Sequence, residues 1–420
     1  MAGSSKGLSP KEKLEAFFNA ATAARKETRS DIAAILGANR YCMHNGVFFE
    51  ATDDFSLSLR DVVASVVKSE GPNKVNAKQV QQIAFDIAIG ASPNKVKDFQ
   101  TAIKNEVAKP YERIEPCFAV VLNEVSRLKI GHITVEDATE VASQLNPRDS
   151  RWRIEPGVEP SSEFKDNTFV IGMPRAVWRV QVACFKGNVR EEAAWAIDVA
   201  LSLLRLSIPQ SRRPGNFPRI GSIEAAPTVS PHRNDYGISL HSTTASFGGS
   251  GLDGWYEISP KTFSKKKLAA LDAIASSIMQ PSKGSVAERV ANGLGWLTRG
   301  RRASDQAVRF LNFFTAIESL LTRNDKNAPV TDTICRSVAC ILAAKIRDRA
   351  KIAKDMSDLY STRSVLVHAG ERRVSEAEST RLQICAELVF KRVLDIVPLT
   401  KPLDVFHAEL KTASYGSAWP

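Results

Sequence analysis

No apolar run in the chain approaches the ~18 residues that a helix needs to span a bilayer, and none of its 6 cysteines forms a Cys-x-x-Cys pair. A membrane-spanning helix and a thiolate zinc site of the usual spacing are therefore not expected. Cys42, Cys117, Cys184, Cys335, Cys340 and Cys385 are scattered, several among apolar residues, and read as buried free thiols of a reducing compartment. There is no His-Glu-x-x-His. His44, His132, His232, His241 and His407 stand at no metal-ligand spacing from cysteines or acids, and no paired acidic nuclease pattern occurs, so no metal or cofactor is expected. The glycine-rich stretch Phe247–Gly254 lacks the Gly-Lys-Ser/Thr ending of a phosphate-cradling loop and reads as a flexible hairpin connection. The opening Met-Ala-Gly-Ser-Ser-Lys has no apolar signal-peptide core, which points to a cytoplasmic location. Internal repeats and low-complexity tracts are also missing.

What is present is an ordinary globular composition, 43% hydrophobic and 25% charged over 420 residues, enough for two or three domains. The net charge of +11 favours polyanionic partners, RNA among them. Two basic clusters, Lys265-Lys266-Lys267 and Arg299-Gly-Arg301-Arg302, flank the start of the C-terminal region, where a nucleic-acid backbone could lie; as bare charge runs they also fit solvated faces.

The fold class is mainly α. Residues 1–150 read as a helical domain, with candidate helices Pro10–Leu36, Ser58–Lys68, Ala77–Ile89, Asn94–Ala108 and Pro116–Leu128. Around Pro147–Phe164 the chain turns polar and proline-rich. A mixed α+β region, 151–264, follows: a strand over Val177–Phe185, a helix over Glu191–Leu206, and a hairpin from Tyr236–Phe247 with Trp255–Ile258. Residues 265–400 read as a helical bundle and 401–420 as a tail. Ala77–Val107 has the helix, turn and helix of a DNA-reading unit, with Gly90 in the turn, but Asp86 occupies a place where a small residue is expected; an ordinary helical hairpin fits as well.

The segment Arg363-Ser-Val-Leu-Val-His368 carries the chemistry. Met356, Leu359, Tyr360 and Val367 recur at helical spacing, which puts Arg363 within the apolar stripe of a helix. A guanidinium there needs an anion, either a carboxylate or a ligand phosphate. His368 lies about 140° further round, near the helix end that Gly370 would cap. In Ala307–Thr322 the stripe Ala307, Leu311, Phe314, Leu321 has Glu318 at its centre. Two helices thus carry opposite charges on apolar faces, and Glu318 is expected to meet Arg363 in a buried pair. A histidine titrating near ~6.5 can exchange protons at neutral pH, and a guanidinium can hold two phosphate oxygens. Because RNA brings its own 2′-hydroxyl nucleophile, a base and a cation suffice.

Three blocks in order, Arg309-Phe-Leu-Asn-Phe-Phe-Thr-Ala-Ile-Glu318-Ser-Leu-Leu321, Thr333-Ile-Cys-Arg336-Ser-Val-Ala-Cys340 and Leu359-Tyr360-Ser-Thr-Arg363-Ser-Val-Leu-Val-His368-Ala-Gly370, resemble an Apea-like HEPN domain over roughly residues 304–397. The resemblance implies a helical bundle, commonly a homodimer, in which arginine–histidine motifs of two subunits meet. Many such domains are metal-independent ribonucleases of antiviral defence or toxin systems, while others have lost catalysis. By matching position, Arg363 and His368 are the expected catalytic pair and Glu318 the supporting acid. Ser364 stands where catalytic members often have Asn, Asp or His, and Ala369 where glycine commonly follows the histidine. Ser364, one turn before His368, is a further supporting candidate. The alternatives are a non-catalytic nucleotide- or partner-binding module and a DNA-binding regulator working through Ala77–Val107. In the enzyme reading, the amino-terminal and middle regions would sense a trigger or choose the substrate.

Overall fold

The computed structural model describes residues 8–27, 31–32, 34, 36, 41–145, 152–158, 161–165, 167–208, 213–229, 237–241, 244–248, 254–323, 330–417 and 419. The chain divides into two compact units, Met1–Arg113 with Gln181–Ala194, and Ile114–Val180 with Trp195–Pro420. Helices dominate, and several small sheets occupy the middle of the chain. No helix among the described residues is long and apolar enough to cross a membrane.

In the first unit, α1 (Pro10–Ala24) starts at a capping box in which Ser9 and Glu12 satisfy each other's backbone N–H groups. The helix stops at Ala24 instead of running to Leu36, because Arg25–Lys26 (β1) pair antiparallel with Phe48 and Phe49. Strands β2 (Tyr41–His44) and β3 (Val47–Glu50) form a hairpin around Asn45-Gly46, both at positive φ, +47° and +78°. That dipeptide is the preferred two-residue turn for twisted strands. Helices α2 (Asp53–Glu70), α3 (Ala77–Ile89) and α4 (Lys95–Ala108) follow, α2 and α3 capped by Thr52 and Asn76. The phenylalanines Phe17, Phe49, Phe55, Phe85 and Phe99 meet in one core.

From Pro110 the chain forms strands where a helix over Pro116–Leu128 was expected: β4 (Pro110–Cys117), β5 (Val120–Leu122), β6 (Arg127–Ile130) and β7 (Ile133–Asp137). The β-branched pair Val120-Val121 and the exposed-buried alternation of β6 win over the apparent helical period. Helix α5 (Ala138–Leu145) follows. Then come β8 (Trp152–Pro156), β9 (Ser162–Lys165), β10 (Thr168–Met173) and β11 (Ala176–Ala183). One sheet has the order β4-β11-β7-β6, another β8-β10-β9. After α6 (Val189–Ser207), β12 (Gly237–His241) and β13 (Thr244–Gly248) pair antiparallel with each other, so the hairpin formed is not the expected one of Tyr236–Phe247 with Trp255–Ile258. Residues Tyr256–Ile258 (β14) do not join it; they pair in parallel with β5. Residues 249–253 of the glycine-rich connection, and His232, lie outside the described residues.

The rest is helical: α7 (Lys265–Met279), α8 (Val286–Arg302), α9 (Gln306–Leu321), α10 (Val330–Leu342), α11 (Ile346–His368), α12 (Glu376–Ile396) and α13 (Leu403–Ser414). The expected boundaries at 150 and 264 are not those of the two units, since β5 and β14 pair across the length of the middle region. Nor is 401–420 a loose tail. Phe406, Leu410 and Ala413 of α13 and Trp419 are buried, and the Arg349 guanidinium donates to the carbonyls of Ala413 (2.7 Å) and Ser417 (3.0 Å).

Helix α8 lies against its neighbours through glycine. A Cβ at Gly293 would meet the Phe390 ring at 2.0 Å, and one at Gly295 the Trp195 ring at 2.4 Å. Gly293→Ala is therefore expected to cost ~1–3 kcal/mol by overpacking. Gly215→Ala, with nothing within 4 Å, should be near neutral. Urea unfolding of both variants checks this, and equal midpoints would show that α8 moves aside.

Candidate active site

Arg363 lies on the buried stripe of α11, but that stripe is Met356, Leu359 and Leu366; Val367, expected within it, is 47% exposed. The facing helix α9 is buried on most sides and brings Glu318 opposite. Arg363 Nη2 stands 3.4 Å from Glu318 Oε1, and the Tyr360 hydroxyl donates to the same oxygen at 2.9 Å. The Arg363 guanidinium also lies 5.6 Å from the Tyr360 ring centroid, and that ring meets Phe314 edge-on at 5.4 Å. Burial, then the bond to Glu318, pushes the Tyr360 hydroxyl above its usual range, so it remains a donor. One carboxylate and one phenol thus fix the guanidinium in place. Arg363 Nε is buried and has no hydrogen-bond partner among the described residues.

The pair is not the fully buried one expected. Its side chains are 25% and 22% exposed, which leaves the guanidinium open to an incoming anion. Exposure also lowers the energetic stake. Glu318→Gln is expected to cost ~1 kcal/mol or less in thermal unfolding, as for surface pairs, and not the ~3–5 kcal/mol of a broken buried pair. A loss in the larger range would show that solvent does not reach the pair.

His368 is the last residue of α11, exposed, and its imidazole has no hydrogen-bond or ion-pair partner among the described residues. The helix ends there because Gly370 turns the backbone to φ +70°. Ser364 is half-buried one turn earlier. The structure therefore brings Arg363, Glu318 and Tyr360 together, and holds His368 one turn beyond, facing solvent. Tyr360 was legible only as an apolar position; its place three residues before the arginine, on one helix face, was the available signal for its second role.

The basic clusters separate. Lys265, Lys266 and Lys267 are exposed in the first turn of α7. Arg301, by contrast, is fully buried, its Nε 2.9 Å from Glu224 Oε1 and its Nη2 bonded to Ser202 and Thr298. Arg299 and Arg302 pair with Asp198 at 3.3 and 3.1 Å, and Arg299 stacks on Trp195 and Trp296. These three arginines serve the interior and its edge, which corrects their assignment to a nucleic-acid surface: the acids that hold them come from distant segments. In the first unit, Asp86 lies 2.6 Å from His44 Nε2 and accepts from Asn45 Nδ2 at 2.9 Å, so this carboxylate is engaged with the β2–β3 turn.

Among the described residues no group of three or more His, Cys, Asp or Glu could hold a metal ion. The six cysteines are free, and burial pushes the Cys117 and Cys385 thiols up to about 12, far from reactive thiolates. No protein-family model, curated protein or solved structure matches this chain.

Proposed function

We propose that this chain is a HEPN-type endoribonuclease that cleaves RNA without a metal, at a composite site made by two copies of the region around α11. A role in antiviral defence or a toxin system goes with that reading. The observation that carries it is the half-open Arg363, held by Glu318 and Tyr360 one helical turn from an unengaged His368. In the reaction, His368 takes the proton of a ribose 2′-hydroxyl, whose oxygen attacks the adjacent phosphorus. The bond from phosphorus to the 5′-oxygen breaks, and His368 of the partner subunit supplies that oxygen's proton. Arg363 binds the non-bridging oxygens and stabilises the charge they gain in the transition state. Glu318 and Tyr360 position Arg363. Ser364 lies between the pair along the helix, within reach of the phosphate or the imidazole. The exposed Lys265, Lys266 and Lys267 attract the RNA backbone from solution.

The test is incubation of purified protein with single-stranded RNA in EDTA. Cleavage leaving 2′,3′-cyclic phosphate ends is the expected outcome. Cleavage only with added divalent metal, or 5′-phosphate products, contradicts the proposal.

A further inference from the structure

Four arginines of the second unit converge on two carboxylates. Arg205 and Arg301 are 0% exposed and Arg309 is 1% exposed, while Glu224 and Glu387 are each 4% exposed. Glu224 Oε1 lies 2.7 Å from Arg205 Nη1 and 2.9 Å from Arg301 Nε. Glu387 Oε1 accepts from Arg205 Nε at 2.6 Å and from Gln383 Nε2 at 2.9 Å. The Gln383 carbonyl in turn accepts from Arg309 Nη2 at 2.8 Å, and Arg213, largely buried, brings its Nη2 to 4.0 Å from Glu387 Oε2. Glu224, Glu387 and Gln383 thus link the four guanidinium groups into one cluster.

The cluster does not balance. Arginine cannot shed its charge at any biological pH, so among the described residues four positive charges face two negative ones. The Tyr256 hydroxyl, which donates to Glu224 Oε2 at 2.9 Å, adds no charge. Asp198, which also feels the Arg301 charge, is already committed to Arg299 and Arg302. The donors do not balance either. Arg205 Nη2, Arg213 Nε, Arg301 Nη1 and Arg309 Nη1 are buried without a hydrogen-bond partner among the described residues. Orphaned buried donors are uncommon, and uncompensated buried charge is costly. The surplus of charge and the surplus of N–H groups fall on the same side chains. One acceptor is orphaned beside them, Glu387 Oε2.

We propose that this cluster is the site of a small protonated oxyanion of the phosphate class, held inside the helical half as a structural ligand. Water would supply acceptors and leave the charge unbalanced. A chloride would cancel only one of the two surplus charges and offers no paired oxygens to the planar guanidinium forks. Hydrogen phosphate meets both needs, and its hydroxyl can donate to Glu387 Oε2, which fully ionised sulfate cannot do.

Equilibrium dialysis of the full chain against labelled inorganic phosphate, with thermal unfolding at constant ionic strength, tests this. One phosphate per chain is expected, with a melting temperature that rises and saturates at millimolar phosphate, and a much smaller rise in sulfate. Arg213→Gln, at the edge of the cluster and least committed to the interior, should fold and lose most of the phosphate-specific rise; Arg309→Gln should lose it as well. Phosphate and sulfate are both excluded from protein surfaces and strengthen burial in general. Equal, unsaturated rises in the two salts would therefore overturn the proposal, as would dialysis without bound phosphate or an undiminished response in Arg213→Gln. A nucleoside monophosphate should give no binding of its own, and binding of it without binding of phosphate would also contradict the assignment.

Discussion

His368→Ala should lower RNA cleavage by ~10²–10⁴-fold, the range that proton transfer by one positioned group contributes, and Arg363→Ala by ~10²–10³-fold, the range for loss of one donor to developing charge, while both proteins keep the wild-type stability within ~1 kcal/mol. His368 is exposed with no side-chain partner to lose, so its removal leaves the fold unperturbed. Arg363 is part-exposed, and its pair with Glu318 is open to solvent. Lys in place of Arg363 should not restore the rate, because an ammonium keeps the charge but lacks the two-pronged geometry that matches phosphate oxygens. Single-turnover cleavage of a defined RNA beside circular dichroism separates lost chemistry from lost structure. A variant that is folded and fully active would remove its residue from the mechanism.

Stability should respond elsewhere. Glu224→Gln is expected to cost ~3–5 kcal/mol, since it strips one partner from a buried charge cluster and leaves Arg205 and Arg301 with less compensation. Desolvation would raise the Glu224 carboxyl, but the Arg301 and Arg205 charges beside it prevail and hold it below the ordinary 4.5. A carboxylate with a lowered folded pKa contributes its full stability above the unfolded value. That contribution fades as pH falls from 4.5 through the lower folded value. The wild type should therefore lose stability below pH 4.5 more steeply than Glu224→Gln does. Denaturant titration at neutral and acid pH measures both effects, and parallel pH curves would show that Glu224 carries no such linkage.

The chain's periodicities show most clearly where one helix has one buried face. Helix α3 spans Ala77–Ile89 as its apolar spacing implied, and α6 differs from expectation by a residue or two at each end. The meeting of Glu318 and Arg363 was legible because each is a charge inside an otherwise apolar stripe. The strands of Pro110–Asp137 were not, because three of them are five residues or fewer and their apolar residues sit too close together to distinguish a period of 2 from 3.6. The β2–β3 hairpin was readable in principle from Asn45-Gly46. The fate of Arg299, Arg301 and Arg302 was not readable at all. A basic run at a helix end looks solvated until the fold brings Asp198 and Glu224 to it, and no local pattern announces partners that far along the chain.

Cellular RNA integrity on expressing the wild type beside His368→Ala at equal abundance tests the ribonuclease assignment most directly. Fragmented RNA and arrested growth with the wild type, against intact RNA and normal growth with the variant, is the expected result. The same RNA profile in both cultures would contradict it.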